Sequence, residues 1–223
     1  MRYLFVVAHP DDEALGAGAM ICKIKELGGT VSVLTLSMSS PTRQEDLFER
    51  QAESHKILGV SHTINKSYET MKFGQYDRFQ MVRDIEEAIA REEPDIIITH
   101  SPGDIHNDHK ITAQITMEAV RLPQRQTYYD KPLTAFLHME VLSSTDWNFG
   151  RSFSPNVFIG VEKKHLRRKI RAIGCYDDVL RSAPHPRNAE SIYSLARVRG
   201  GESGEMYAEA FCCSYMNLRG ISL

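Results

Sequence analysis

The chain has 223 residues, of which 42% are hydrophobic and 25% are charged, as in an ordinary globular protein. This length fits one decorated domain and needs no disulfide framework for stability. Lys and Arg number 27 against 29 Asp and Glu, a net charge of −2 that argues against a surface that coats nucleic acid. We therefore expect a single domain over residues 1–223 that binds no nucleic acid.

The N-terminal segment favours a strand over a targeting signal. Its apolar run ends at His9, which is too early for the apolar stretch of about 7–15 residues in a secretory signal. No run approaches the roughly 20 apolar residues of a membrane span. The four cysteines are Cys22, Cys175, Cys212 and Cys213. They form no Cys-x-x-Cys motif, so we expect a cytoplasmic protein with reduced thiols and no membrane span.

Short apolar segments rich in β-branched residues predict buried strands along the chain. They are Tyr3–Ala8, Val31–Leu36, Ile96–Thr99, Leu133–His138 and Val157–Val161. Helical spacing of apolar residues predicts helices between them. These helices cover Ala17–Leu27, Arg43–Leu58, Val82–Ile89 and Ile111–Leu122. The alternation predicts a Rossmann-like α/β fold, with a mostly parallel sheet and helices on both faces.

Three further stretches are expected to be loops, and one to be a surface helix. The Pro-, Ser- and Gly-rich stretches Ser37–Thr42, Ser182–Pro186 and Gly200–Gly204 predict loops. The basic run 162–171 places its apolar residues on one helical face, which predicts a solvated helix. A phosphate of the substrate or an anionic membrane surface remains an alternative partner for this run.

Two polar segments follow predicted strands at the sheet edge where ligands bind in such folds. Ala8–Glu13 reads AHPDDE, and His100–His109 reads HSPGDIHNDH. Two histidines plus one carboxylate form a recurrent catalytic zinc set, which leaves a coordination position for water. Acidic residues also suit the first turn of a helix, so the first segment alone would be explained by helix capping. Both segments at one edge favour a metal site.

Together these motifs resemble the PIG-L/LmbE-like family of zinc-dependent de-N-acetylases. The likeness rests on AHPDDE after the first strand and on HNDH at 106–109, and it extends to RQAE at 50–53 and YAEAF at 207–211. It implies that His9, Asp12 and His109 bind zinc and that Asp11 is the general base. It also implies that His106, in protonated form, stabilises the oxyanion of the tetrahedral intermediate.

Other residues have weaker assignments. The resemblance implies that Asp108 orients a neighbouring imidazole and that Arg50 contacts substrate. From its place in the second segment, Asp104 either touches substrate or shapes the loop. The chain departs from the family's pattern at Ser37–Pro41 and at Cys175–Asp178, regions that help to line the substrate side. Fold and metal chemistry therefore carry over better than specificity.

The expected function is a zinc-dependent hydrolase that removes the N-acetyl group from an amino sugar or its conjugate. A zinc amidohydrolase acting on a non-sugar amide remains an alternative, as does a non-catalytic ligand-binding member of the fold. A homo-oligomer is also compatible with the sequence. A dinucleotide-binding module is disfavoured because Gly16 and Gly18 lie inside the first helix and Ile21 replaces the third small residue. No Gly-x-Ser-x-Gly motif supports a serine hydrolase.

Overall fold

A computed structural model describes residues 1–39, 46–121, 132–150 and 153–218. The strands are β1 Arg2–Val7, β2 Thr30–Thr35, β3 His62–Asn65, β4 Ile96–His100, β5 Ala135–Met139, β6 Val157–Gly160 and β7 Ala208–Met216. They form one sheet in the order β3-β2-β1-β4-β5-β7-β6. The first five in sequence are mutually parallel, and β7 runs antiparallel to both β5 and β6. This confirms the α/β fold with a mostly parallel sheet.

Helices cover both faces of the sheet. They are α1 Asp12–Glu26, α2 Leu47–Leu58, α3 Arg78–Glu92, α4 Asn107–Ala119, α5 Lys163–Ile173 and α6 Ala189–Ser203. A 3-10 helix covers Phe73–Gln75. In β1, Phe5 and Val7 join the core that contains α1, α2 and α5, while Leu4 and Val6 join the core that contains α3 and α4. None of the described helices is both long and apolar enough to cross a membrane.

The sequence patterns did not predict β3 and β7, for different reasons. β3 contains one apolar residue, Ile64, and its first two residues are exposed, so it lacks the buried-strand signal. β7 alternates little and carries polar residues at its exposed end. The predicted helix from Arg43 begins at Leu47 among the described residues, and residues 40–45 lie outside them. The end of the predicted helix at Leu122 also lies outside them.

The predicted loop Gly200–Gly204 is wrong. α6 continues to Ser203 and ends at Gly204, whose positive φ of 77° suits glycine. Gly200 lies inside the helix because the chain returns close to it: a Cβ atom there would lie 2.6 Å from the carbonyl oxygen of Glu205. Close backbone packing, rather than a turn, therefore explains this glycine.

A bend in α1 is stabilised by a buried carboxylate from β7. Ala17 has non-helical angles, φ −145° and ψ 18°. Beyond the bend, the backbone N–H groups of Ala19 and Met20 donate to Glu209, at 3.2 and 2.6 Å. Lys169 of α5 donates to the same carboxylate at 2.6 Å. Glu209 thus acts as an N-terminal cap for the second part of α1 and joins three elements in the core.

We expect Glu209→Ala to destabilise the fold by about 3–5 kcal/mol, because the ammonium group of Lys169 would stay buried without its partner. Chemical denaturation would measure the loss in the free energy of unfolding. The double variant with Lys169→Met should recover part of it, since it removes the unpaired charge. A Glu209→Ala protein as stable as the parent would contradict the cap.

Glu92 at the end of α3 forms a second polar link to the sheet. It accepts hydrogen bonds from the Ser32 hydroxyl at 2.7 Å, His62 Nδ1 at 2.6 Å and Arg91 Nε at 2.8 Å. Burial raises the pKa of Glu92, but these donors outweigh it and lower the pKa to about 2. The charged carboxylate is therefore the form that the fold stabilises.

This pKa predicts a loss of stability in acid. The folded pKa is about 2 and the ordinary value is 4.5, so the contribution is present above pH 4.5 and is lost as pH falls towards 2. Because His62 and Arg91 are screened by solvent, we expect about 1–2 kcal/mol. At pH 7 the Glu92→Gln variant should have a lower free energy of unfolding than the parent. Near pH 2 the two proteins should have nearly the same free energy of unfolding. An equal gap at both pH values would contradict this account.

Candidate active site

The two polar segments meet at the carboxyl ends of β1 and β4, which are adjacent parallel strands. α1 begins within the first segment, at Asp12, and α4 begins within the second, at Asn107. Between them lies a cavity of about 200 Å³. Its described lining is His9, Pro10, Asp11, Asp12, Ser39, Leu47, Thr70, His106, His109, Tyr176 and Arg187. The topology thus joins residues about 100 positions apart in sequence.

Three of these side chains present ligand atoms at nearly equal separations. His9 Nδ1 lies 3.4 Å from Asp12 Oδ2 and 3.3 Å from His109 Nε2. His109 Nε2 lies 3.3 Å from Asp12 Oδ1. Ligands about 2.0–2.1 Å from a tetrahedral zinc would stand roughly 3.3–3.4 Å apart. The spacings between the two imidazole nitrogens and the Asp12 carboxylate therefore suit one zinc ion, with each nitrogen close to a different oxygen of Asp12.

The His9 and His109 rings each contact a carboxylate through the ring nitrogen that faces away from the proposed metal position. His9 Nε2 lies 3.2 Å from Asp108 Oδ2, and His109 Nδ1 lies 3.1 Å from Asp104 Oδ2. A proton on each of these nitrogens leaves His9 Nδ1 and His109 Nε2 free as ligands. Asp108 thus has the kind of contact predicted for it. Asp108 also accepts from the backbone N–H of Met71 at 2.6 Å.

Asp104 lies outside the described cavity lining and is fully buried. Besides His109, it accepts hydrogen bonds from the His106 backbone N–H at 2.8 Å, from Thr145 Oγ1 at 2.8 Å and from the Ser144 hydroxyl. Of the two roles expected from the sequence, these contacts favour shaping the loop. They also hold the His109 ring in place.

His100 is a neighbour of the site that the sequence left without a role. It is fully buried and stacks on His109, with ring centroids 4.0 Å apart. Its Nε2 accepts the backbone N–H of Ala8 at 2.9 Å. Burial, followed by the charge of His109, lowers the pKa of His100 to about 4. His100 forms a cluster with Asp12 and His109 that could also hold a metal. Because its Nε2 already accepts the backbone N–H of Ala8, His9 is favoured over His100 as the ligand.

His106 caps α4 with its ring. Its Nδ1 accepts the backbone N–H of Asp108 at 3.2 Å, which places the ring proton on Nε2. Burial and the neighbouring His109 and His9 lower the pKa of His106 to about 4. The structure therefore favours a neutral imidazole that donates through Nε2, not the protonated form expected from the sequence.

The carboxylates around the site favour positive charge at its centre. Burial lowers the pKa of His9, but Asp108 and Asp12 outweigh it and raise the pKa to about 9. For His109, burial is likewise outweighed, by Asp12 and Asp104, and the pKa rises to about 10. A divalent cation would satisfy the same demand for positive charge without those protons.

Asp11 lines the cavity with a carboxyl group whose pKa is raised. Burial, and then the charge of Asp12, raise the pKa of its carboxyl, while Arg187 opposes the shift. An Arg187 nitrogen lies 3.8 Å from Asp11 Oδ2, and Arg187 Nε donates to the carbonyl oxygen of Leu142 at 3.0 Å. A raised pKa suits a carboxylate that must accept and release a proton near neutral pH.

Other residues depart from the sequence expectations. Arg50 lies outside the described cavity lining; its guanidinium pairs with Asp177 at 2.5 Å and donates to the Cys175 carbonyl oxygen at 3.3 Å. Its substrate contact stays a prediction. Arg187 lines the cavity and was not predicted, whereas Tyr176, which also lines it, lies in the stretch Cys175–Asp178 that the resemblance assigned to the substrate side. Both come from irregular segments between α5 and α6, where no spacing signal marks them.

Comparison with known proteins adds independent information. The model of the family described as PIG-L, GlcNAc-PI de-N-acetylase, matches residues 4–120. An uncharacterized deacetylase, YaiS of Escherichia coli, is 26% identical over 178 residues, covering 76% of this chain and 87% of that protein. The diacetylchitobiose deacetylase of Thermococcus kodakarensis is 24% identical over 225 residues, covering 93% of this chain and 81% of that protein.

The fold also occurs in an enzyme with a different reaction. The structure of GalB, the 4-carboxy-2-hydroxymuconate hydratase of Pseudomonas putida, superposes with a TM-score of 0.72 at 18% identity. The match covers 97% of this chain and 98% of that one. The fold alone therefore does not specify the reaction, and the argument for function depends on the site.

The contacts of Asp104 predict a measurable effect on metal affinity. We expect Asp104→Asn to weaken zinc binding about 10–100-fold, because the amide no longer supports the His109 ring as a charged acceptor. Competition with a chromophoric chelator would measure the affinity. Glu118→Gln, at the exposed Arg78 pair, is the matched control and should bind zinc as the parent does. Equal affinities for Asp104→Asn and the control would contradict the orienting role.

Proposed function

Since the chain belongs to the PIG-L family of GlcNAc-PI de-N-acetylases, we propose that it is a zinc-dependent hydrolase that removes the N-acetyl group from an amino sugar or its conjugate. The observation that carries the proposal is the grouping of His9 Nδ1, His109 Nε2 and the Asp12 carboxylate. The two nitrogens lie 3.3 Å apart, and each lies 3.3–3.4 Å from one of the Asp12 oxygens. Asp11 lines the same cavity, so a base stands beside the metal position.

Each residue has a defined task in this proposal. His9, Asp12 and His109 would hold zinc, which when bound lowers the pKa of a water to roughly 7 and polarises a carbonyl. Asp11 removes a proton from the attacking water and passes it to the departing amine, so the carbon–oxygen bond forms and the carbon–nitrogen bond breaks. His106 donates its Nε2 proton in a hydrogen bond to the developing oxyanion.

Hydroxyl groups on the cavity wall favour a sugar over a plain amide. Ser39, Thr70 and Tyr176 line the cavity together with the guanidinium of Arg187. The Ser39 and Thr70 hydroxyls already donate to the carbonyl oxygens of Tyr68 and Ser39, so they would act as acceptors for the several hydroxyls of a pyranose, whereas an acyl amine offers few partners. A non-sugar amide is the second candidate, because it would use the same metal and base. A non-catalytic ligand-binding protein would not require Asp11.

Two variants separate the metal from the base. Asp11→Asn should bind zinc as the parent does but lower kcat by about 10²–10⁴-fold, because the water loses its proton acceptor. His109→Ala should lose the metal, since only two ligands remain. Elemental analysis gives the zinc content, and acetate release from N-acetylglucosamine and its oligosaccharides gives the rate. Full activity in Asp11→Asn, or full zinc content in His109→Ala, would overturn these assignments.

A substrate panel tests the two candidate functions. The parent protein should release acetate from N-acetylated sugars with a higher kcat/KM than from simple N-acetyl amines of similar size. A preference for the amines would favour the second candidate. No acetate from either class by the zinc-loaded protein would contradict hydrolysis of both.

A further inference from the structure

The chain's one tryptophan takes no part in the proposed reaction and lies outside the described cavity lining, to which His185 connects it. Trp147, in the segment after β5, is 42% exposed. Its indole meets the His185 ring in a T-shaped contact, with centroids 5.6 Å apart and an interplanar angle of 67°. In a T-shaped contact the edge of one ring faces the other ring, so at least one face of the indole is free of His185.

His185 links this indole to the cavity wall. Its Nδ1 accepts the backbone N–H of Arg187 at 3.1 Å. Arg187 lines the cavity, and its guanidinium lies 3.8 Å from Asp11. The His185 ring and Arg187 therefore connect the indole to the proposed general base.

The segment that carries Trp147 is anchored on both sides to the loop before α4. Thr145 Oγ1 donates to Asp104 at 2.8 Å, and the Ser144 hydroxyl donates to the same carboxylate. On the other side, the Asn148 side-chain amide donates to the Gly103 carbonyl oxygen. A ring that is already held in place loses little conformational entropy when a ligand binds to it.

We propose that Trp147 and His185 form a second sugar subsite, on which the pyranose next to the N-acetylated one stacks. This inference rests on the proposed function, because it takes an amino sugar as the substrate. A pyranose has an apolar C–H face and a polar edge, which an exposed indole with its N–H group complements. The cavity, at about 200 Å³, is smaller than the roughly 300–1,000 Å³ of sites that enclose larger ligands. A second ring would extend out of it.

The favoured substrate class is therefore an N-acetylated disaccharide or longer oligosaccharide. The relative from Thermococcus kodakarensis is named for such a disaccharide, diacetylchitobiose. A free monosaccharide would fill the cavity and leave the indole uncovered. The subsite predicts that the length of the sugar chain, rather than the acetylated residue alone, controls binding.

Because Trp147 is the only tryptophan, its fluorescence reports on the subsite without any turnover. The zinc-supplemented Asp11→Asn protein would be titrated with N,N'-diacetylchitobiose and, separately, with N-acetylglucosamine. We expect a saturable change in tryptophan emission with the disaccharide and a much smaller one with the monosaccharide. Phe149→Ala, two residues away and 95% exposed, is the matched control and should keep the response. No response to the disaccharide would overturn the subsite.

Kinetics give a second readout. Trp147→Ala should raise KM for diacetylchitobiose about three- to tenfold more than KM for N-acetylglucosamine, with kcat for the disaccharide changed less than KM. Trp147→Phe should retain part of the binding, because it keeps an aromatic face. An equal rise in KM for both sugars would indicate a structural effect and contradict the subsite. Failure of the parent to release acetate would instead contradict the proposed function, while the fluorescence titration would still test the subsite.

Discussion

The site depends on a concentration of buried negative charge that two imidazoles and several hydrogen-bond donors balance. Asp12, Asp104 and Asp108 all lie against His9 or His109, and all three carboxylates are almost completely buried. Isolated carboxylates in a protein interior are costly unless a cation or hydrogen-bond donors compensate them. Protons on His9 and His109, whose pKa values the carboxylates raise, would add to the compensation that the hydrogen-bond donors provide. A divalent ion held by His9, Asp12 and His109 would also compensate the buried negative charge.

This constraint explains why the fold holds the site from several directions. Asp12 accepts the backbone N–H of His9 at 2.8 Å, so the first turn of α1 closes back on the end of β1. Asp104 gathers donors from the loop before α4 and from the segment after β5. The bend in α1 follows the acidic turn directly, and Glu209 caps the helix beyond it. Elements distant in sequence thus restrain ligand atoms that repel one another.

Features that depend on a local pattern of residues could be predicted from the sequence, whereas features that depend on contacts between distant residues could not. β1 and β4 are covered on both faces, so their apolar runs are unambiguous, and the polar residues directly after them were placed at one edge. β3, with exposed residues, gave no such run. The state of His106 depends on a hydrogen bond from the Asp108 backbone, which residue type does not reveal. Arg187 reaches the cavity from an irregular segment, and no sequence pattern around it predicts that position.

The residues proposed for the reaction and several of the residues that line the rest of the cavity come from different parts of the chain. The family match ends at residue 120, and it contains every residue that we propose as a metal ligand or as the general base. Tyr176 and Arg187 come after it and line the cavity, and Trp147, which contacts His185, also comes after it. The hydratase with the same fold shows that this architecture accommodates more than one reaction, so a shared sheet cannot by itself identify a substrate. The N-terminal half therefore argues for metal-assisted hydrolysis, and the choice among amides depends on side chains that the second half brings to the same cavity.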